Sequence, residues 1–320
     1  MRFSIIIPTF NHQDTINYAI KSVLQQTLQD FEIIVVGDGC PETTDEIMNY
    51  WMKHDTRIQY QSNPKGLGHG ELFRHEAIQK SNGEYIFYLG DDDMWLPRHL
   101  EILSPFLKTF DFVHSTHCAI HPGNEIYHLE DQIAKQSVRQ RMSSEKWNFF
   151  GPTCAAHTKE AYQRLPYGWR PRPDGMWSDL YMWRQWFSQK DMRFFSIPYT
   201  TTVHFPSPLR GQMTLGDRIQ ELESYWPKVS DDEFIDELQK MRVQQSSLFN
   251  ENSEPFIEGL LNVILTSQEE LGYSIENIEK EKLKATYWKH AFDALQKAHS
   301  TRLGFMLTWP LRMVYELLRR

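Results

Sequence analysis

What constrains this chain most is the rhythm of its first third, where short β-branched apolar runs alternate with stretches of helical spacing. The runs are Ser4–Pro8, Phe31–Val36, Arg57–Tyr60, Tyr85–Leu89 and Phe110–Val113. They are apolar without strict alternation, as expected of strands covered on both faces, hence of a parallel sheet. Between them Ile16, Ile20, Val23 and Leu24 repeat at helical spacing behind Asp14, and Ile47, Met48 and Trp51 do so behind Pro41. Leu72, Ala77 and Ile78 mark a third helix. Leu100, Leu103 and Leu107 mark a fourth, with Pro97 suited to its first position. Strand–helix alternation at this rhythm predicts a doubly wound α/β fold, a mostly parallel sheet flanked by helices.

The later sequence is less regular. Residues 117–150 read as polar and irregular, Phe150–His157 as a return to the sheet and Ser178–Phe187 as a helix. Beyond Gly216 come long helical segments: Ile219–Trp226, Asp232–Val243, Pro255–Leu265 and Ile278–Ala298. Pro206-Ser207-Pro208 and Gly211 mark the expected boundary between a core, 1–210, and a helical C-terminal region, 211–320. The net charge of −8 argues against coating nucleic acid, which leans on a basic field. Cys40, Cys118 and Cys154 are too scattered for a zinc site or a disulfide framework and suit a reducing cytosol. Met1-Arg2 leads directly into the first strand, leaving no room for a signal peptide, and no run has the 18 apolar residues of a membrane span. A cytoplasmic protein is therefore expected. The apolar segment 303–320, ending in Arg319-Arg320, has two readings: a contact with the inner membrane face, or a helix packed on the core or on a second copy.

In an open α/β sheet, ligands bind beyond the carboxyl ends of the strands. Thr9 and Asn11 follow the first strand here, Asp38 the second and Asp91-Asp92-Asp93 the fourth. Three adjacent carboxylates repel one another, and a hard divalent cation, Mg²⁺ or Mn²⁺, relieves that repulsion; an acidic first turn of the next helix is the plainer reading. Asn63 to Gly70 form a glycine-rich loop leading towards Arg74, a phosphate cradle by composition but in neither the P-loop nor the dinucleotide spacing.

Taken as a set, Ile5-Ile6-Ile7-Pro8-Thr9-Phe10-Asn11, Ser22 to Thr27, Phe31 to Gly39, Arg74, Gly83-Glu84-Tyr85-Ile86 and Asp91 to Pro97 resemble the family 2 glycosyltransferases of the GT-A fold. The resemblance is strong over about residues 1–115, thinner to about 205 and absent beyond. It implies a nucleotide-diphosphate sugar as donor, UDP-linked by preference. Pro8, Thr9, Asn11, Asp38, Arg74 and Asp91 would then bind the donor, and Asp92, Asp93 and His204 the metal. Asp179, at the head of the Ser178–Phe187 helix, would be the catalytic base, with Asp174 in reserve. Trp147, Asn148 and Cys154 would lie towards the acceptor, a glycan, glycolipid or other hydroxyl compound. The chain departs from the family at Gly90, where many members have Asp.

Two other readings stay open at this point. A nucleotidyltransferase shares the sheet and the metal, but calls for a basic glycine-rich loop directly after the first strand, where this chain has Pro8-Thr9-Phe10-Asn11-His12. A non-catalytic nucleotide-sugar binder is suggested by Gly90 and by the unassigned C-terminal third. Whether the protein is an oligomer is open too.

Overall fold

The computed structural model describes residues 2–245. The segments expected to be helical at Pro255–Leu265 and Ile278–Ala298, and the apolar segment 303–320, lie outside the described residues.

Strands β1 (Phe3–Thr9), β2 (Phe31–Gly37), β3 (Ile58–Gln61) and β4 (Tyr85–Tyr88) pair in parallel in the spatial order β3-β2-β1-β4. The first crossovers build outward from β1 in one direction, and the chain then returns to place β4 on the other side of β1. That reversal opens a crevice at the carboxyl ends of β1 and β4. Helices α1 (Ile16–Leu24), α2 (Glu42–His54) and α3 (Glu71–Lys80) are the crossovers, each near the position its apolar spacing predicts. The sheet extends beyond β4 through strands that run against it. β8 (Ala155–Thr158) pairs antiparallel with β4, and β6 (Phe112–His121) pairs antiparallel with β8. β7 (Glu125–Leu129) and β9 (Phe194–Thr200) complete the sheet on β6. A two-stranded ribbon, β5 (Met94–Trp95) with β10 (Thr202–Val203), ties the turn after β4 to the end of β9.

One apolar cluster fills each face of the sheet. Ile5, Ile7, Ile33, Val35, Phe87 and Val113 face α1, α2 and α4 (His99–Leu107), while Ile6, Ile34, Ile86, Phe112 and Tyr88 face α3 and α7 (Ser178–Phe187). The strands therefore bury both faces, which is why their sequences do not alternate.

Three details depart from expectation. β6 runs through His121, into the stretch read as irregular. His114, Ser115, Thr116 and His117 break its apolar pattern but are buried. His114 Nε2 pairs with Ser196 Oγ at 2.7 Å, Ser115 Oγ accepts from Thr201 at 2.6 Å, and Thr116 Oγ1 donates to Glu130 at 2.6 Å. Polar partners on β9 and in neighbouring loops replace apolar packing there. Next, α4 starts at His99 rather than Pro97, with Arg98 at the N-cap and the Gln26 side chain meeting a free N–H of its first turn. The Gln26 side chain accepts from Leu100 N–H at 3.1 Å and donates to Leu96 O at 2.9 Å. Finally, the described residues after 210 are packed on the core. On α8 (Leu215–Tyr225) and α9 (Asp232–Gln245), Leu222, Tyr225 and Leu238 share an apolar cluster with Met94, Cys118, Ile120 and Val203. Buried Arg210 forks onto Glu221, and Arg242 Nη1 donates to Glu130 Oε1 at 2.8 Å. α5 (Gln136–Ser144) and α6 (Lys159–Gln163) complete the described α-helices.

Candidate active site

The switch-point crevice gathers residues from distant places in the sequence. Thr9 closes β1, with its backbone carbonyl accepting from Asp38 N–H at 3.0 Å. Its buried Oγ1 has no hydrogen-bond partner among the described residues. Asn11, just beyond, is exposed, and Pro8 is half-buried. Asp38 is buried at the end of β2 beneath the glycine-rich loop. It accepts from Gly66 N–H at 2.7 Å and from Lys65 Nζ at 2.6 Å. Gly70 permits this wrap: its φ is +70°, and a Cβ there would lie 2.9 Å from Asp38 Cβ. The loop is therefore not an open phosphate cradle, because its N–H groups at Gly66 and His69 point at the carboxylates of Asp38 and Glu71.

Arg74, on α3, is buried with its guanidinium 4.2 Å over the Trp169 ring. Burial lowers its pKa, and no carboxylate lies within ion-pair distance among the described residues. Its Nε has no partner, and its one described hydrogen bond, to His69 O, is long at 3.4 Å. A buried cation so poorly satisfied is suited to receive an anionic ligand.

The acidic triplet splits into two functions. Asp91 accepts from His12 Nδ1 at 3.0 Å, and Asp92 takes Ser207 Oγ at 2.7 Å and the guanidinium of Arg218. The ligand atoms of His12, Asp91 and Asp92 lie within 4.8 Å of one another. Burial, then the charges of Asp93 and Asp91, push the Asp92 pKa up to about 6. Two carboxylates and an imidazole, held this close at that electrostatic cost, fit Mn²⁺ or Mg²⁺.

Asp93, expected to be a metal ligand, is turned elsewhere. Both its oxygens face His204 Nδ1 at 2.9 Å, and it also accepts from the Thr153 hydroxyl and from Phe205 N–H at 2.9 Å. Burial opposes its ionisation, but the His204 charge and these hydrogen bonds outweigh that and hold its pKa below the ordinary range. Both its oxygens are thus engaged, and the group whose ligand atoms lie together is His12, Asp91 and Asp92, without the expected Asp93. Gly90 follows from the same geometry: a Cβ there would come within 2.6 Å of Asp93 Oδ2. His204 is held by Asp93 through Nδ1, an arrangement that fixes a ring and leaves Nε2 for another partner. It stands outside the His12–Asp91–Asp92 group, with its ring 5.0 Å from that of His117.

Asp179, in the first turn of α7, receives Asn148 Nδ2 on one oxygen at 2.8 Å and its neighbour's Leu180 N–H on the other at 2.7 Å. Packing around the carboxyl raises its pKa, with those hydrogen bonds opposing, although part of its surface stays exposed. Its charge is felt by Arg74, and that of His204 acts on it, so it belongs to the same electrostatic neighbourhood as the crevice. Ser178 Oγ, donating to Glu71 Oε1 at 2.6 Å, pins the head of α7 to the head of α3. Asp174 is exposed in the loop before it.

Sequence reasoning missed His12, Ser207, Arg218 and the support that Asn148 gives Asp179. Only His12, one residue past Asn11, stood near a motif. Arg218 carries no local signal, because α8 alone brings it to the site.

Such a mixed sheet, with an acidic cluster at the reversal of strand order, is an open α/β architecture of the kind that binds ligands at its switch point. The profile described as glycosyl transferase family 2 matches residues 4–165, and the chain belongs to that family. It is 33% identical over 108 residues to the Campylobacter jejuni GalNAc(5)-diNAcBac-PP-undecaprenol beta-1,3-glucosyltransferase. It is 32% identical over 109 residues to the Staphylococcus aureus poly(ribitol-phosphate) beta-N-acetylglucosaminyltransferase TarP. These matches take up 34% and 33% of this chain, and the chain spans 33% of the length of each relative. It spans 16% of an uncharacterized glycosyltransferase of Rickettsia bellii, 37% identical over 114 residues. Among solved structures, S. aureus TarS superposes with a TM-score of 0.51 at 16% identity, over 82% of this chain and 49% of that one. Its 1–349 fragment in complex with UDP-GlcNAc gives 0.50 at 15% identity, over 82% and 81%. This likeness is one of fold.

Proposed function

We propose that this chain is an inverting glycosyltransferase that moves a sugar from a nucleotide diphosphate, by preference a UDP-sugar, to a hydroxyl acceptor in surface polysaccharide or glycoconjugate synthesis. The observation that carries this reading is the convergence of His12, Asp91 and Asp92 at the switch point; Arg74, buried with its Nε unpartnered, supports it. The named relatives that act on an undecaprenol-linked glycan and on poly(ribitol-phosphate) support the acceptor class. UDP-GlcNAc bound by the like-folded TarS supports the donor.

His12, Asp91 and Asp92 would hold the cation, which when bound supplies Lewis-acid stabilisation to the departing diphosphate. Arg74 meets the negative charge of the donor. Asp38 would accept from the base or ribose in exchange for Lys65, and Thr9, whose Oγ1 has no described partner, would offer a donor. Asp179 removes the acceptor hydroxyl's proton as that oxygen attacks C1, the C1–O bond breaks, and its electron pair leaves with the diphosphate. Attack from the face opposite the leaving group inverts the anomeric centre. A cytoplasmic setting fits Cys40, Cys118 and Cys154, all free thiols. No helix among the described residues is long and apolar enough to cross a membrane.

The test is a panel of nucleotide sugars screened with Mn²⁺ for a rise in melting temperature, followed by nucleotide release and NMR of the product anomer. A UDP-sugar that stabilises the protein and is turned over with inversion is expected. Stabilisation by none of them would remove the donor assignment, and retention at C1 would remove the single-displacement mechanism.

A further inference from the structure

Arg218 is the one residue from beyond 210 whose side chain enters the acidic cluster among the described contacts. It lies in the first turn of α8, which is anchored by a capping box between Thr214 and Asp217 and by Leu222 and Tyr225 in the apolar cluster behind it. One guanidinium nitrogen donates to Asp92 Oδ2 and, at 3.0 Å, to Ser207 Oγ; the other lies 2.9 Å from His12 Nε2. In the tautomer that gives Asp91 the Nδ1 proton, His12 Nε2 accepts from Arg218. The guanidinium thus occupies a carboxylate oxygen and an imidazole lone pair that a divalent cation at His12, Asp91 and Asp92 would need. Two cations cannot share them. A cation held there would leave the guanidinium without these partners, and a long, forked side chain is suited to the anionic oxygens of a diphosphate.

Building on the donor reading above, we propose that Arg218 fills the cation locus of the free protein and moves to the donor's diphosphate when metal and nucleotide enter. Arg218 is then a ligand-binding residue supplied by the C-terminal region, and α8 is part of the site. The arrangement makes metal alone a poor ligand and metal with nucleotide a good one, because only the second gives the displaced guanidinium a new partner.

The experiment measures Mn²⁺ alone by electron paramagnetic resonance, and UDP in saturating Mn²⁺ by calorimetry, on the full chain and on Arg218→Gln and Arg218→Lys. Melting curves without ligand establish that each variant is folded. Arg218→Gln is expected to bind Mn²⁺ about tenfold more tightly than the parent and UDP with Mn²⁺ about tenfold more weakly. Arg218→Lys, which keeps the charge and loses the fork, should fall between on both scales. Mn²⁺ affinity unchanged or weakened in Arg218→Gln overturns the occupancy of the cation locus. Tighter Mn²⁺ with undiminished UDP binding overturns the transfer to diphosphate. If UDP binds no variant and not the parent, it is the nucleotide reading that fails, and the Mn²⁺ comparison still decides who holds the locus.

Discussion

At the scale of single residues, the chemistry turns on how neighbours set each carboxylate apart. Asp91, Asp92, Asp93 and Asp179 are the same side chain in four settings. Asp93 is saturated by Thr153, Phe205 and His204, Asp92 is buried beside like charges, and Asp179 is lifted by the packing around it. A base whose folded pKa is raised is lost by protonation sooner as the pH falls, so turnover should drop on the acid side at a pH above that of an ordinary aspartate. Asn148 stabilises the ionised form by donating to it. Asn148→Ala should therefore raise the Asp179 pKa further and move the acid limb of the kcat profile to higher pH, whereas an unmoved limb would dissociate that limb from Asp179. Asp179→Asn is expected to lower kcat by roughly 10²–10⁴ with donor affinity retained, read by single-turnover kinetics beside calorimetry. Asp93→Asn should act differently. It removes the charge that holds His204, lowering the His204 pKa that the Asp93 carboxylate keeps raised against burial, and the His204 ring resonances in an NMR pH titration report it.

Elements position these residues, and here the sequence was most readable. The runs at Ile5, Ile33 and Phe87 were legible as strands because both their faces are apolar, and the apolar spacing of α1, α2 and α3 followed directly. β6 was legible only at its start, in the run Phe110–Val113, since His114 to His117 are buried against polar partners distant in sequence. The ribbon of Met94–Trp95 with Thr202–Val203 was illegible for a related reason: two-residue strands carry no period, and only their partner defines them. Glu32 shows how an element is fixed in depth. Buried in β2, it accepts from Ser4 Oγ at 2.6 Å, Asn82 N–H at 2.5 Å and Gln59 Nε2 at 3.1 Å. Burial alone would raise its pKa, but these donors outweigh it and the pKa is lowered. Its stabilisation is therefore present above the unfolded pKa, near the ordinary glutamate value, and is lost as pH falls through the lower folded one. Glu32→Ala, which leaves several donors unpaired, is expected to cost about 2–4 kcal/mol in urea unfolding at neutral pH, with the difference shrinking in acid.

At the scale of the molecule, the described part of the C-terminal region packs on the core and sends Arg218 to the acidic cluster. The sequence pointed to Thr9, Asp38, Asp91 and Asp92 because they follow strand ends, which converge in such a sheet, and to Arg74 only through the family resemblance. It could not place Arg218 or Ser207, which reach the crevice through the packing of α8 on Met94, Ile120 and Val203 and through Arg210 on Glu221. Leu238→Ala, which empties buried volume beneath α9, is expected to lower stability by about 2–5 kcal/mol and to weaken donor binding through α8. A loss of stability with unchanged donor affinity would separate this packing from the site.

The central claim is that the acidic cluster at the strand reversal binds a nucleotide diphosphate through a divalent cation. Calorimetric titration of UDP, with and without Mn²⁺, into the parent and into Asp92→Ala tests it most directly. Binding that requires Mn²⁺ in the parent, and weakens at least about tenfold in Asp92→Ala, is the expected result. UDP affinity indifferent both to the metal and to the loss of the Asp92 carboxylate would contradict it.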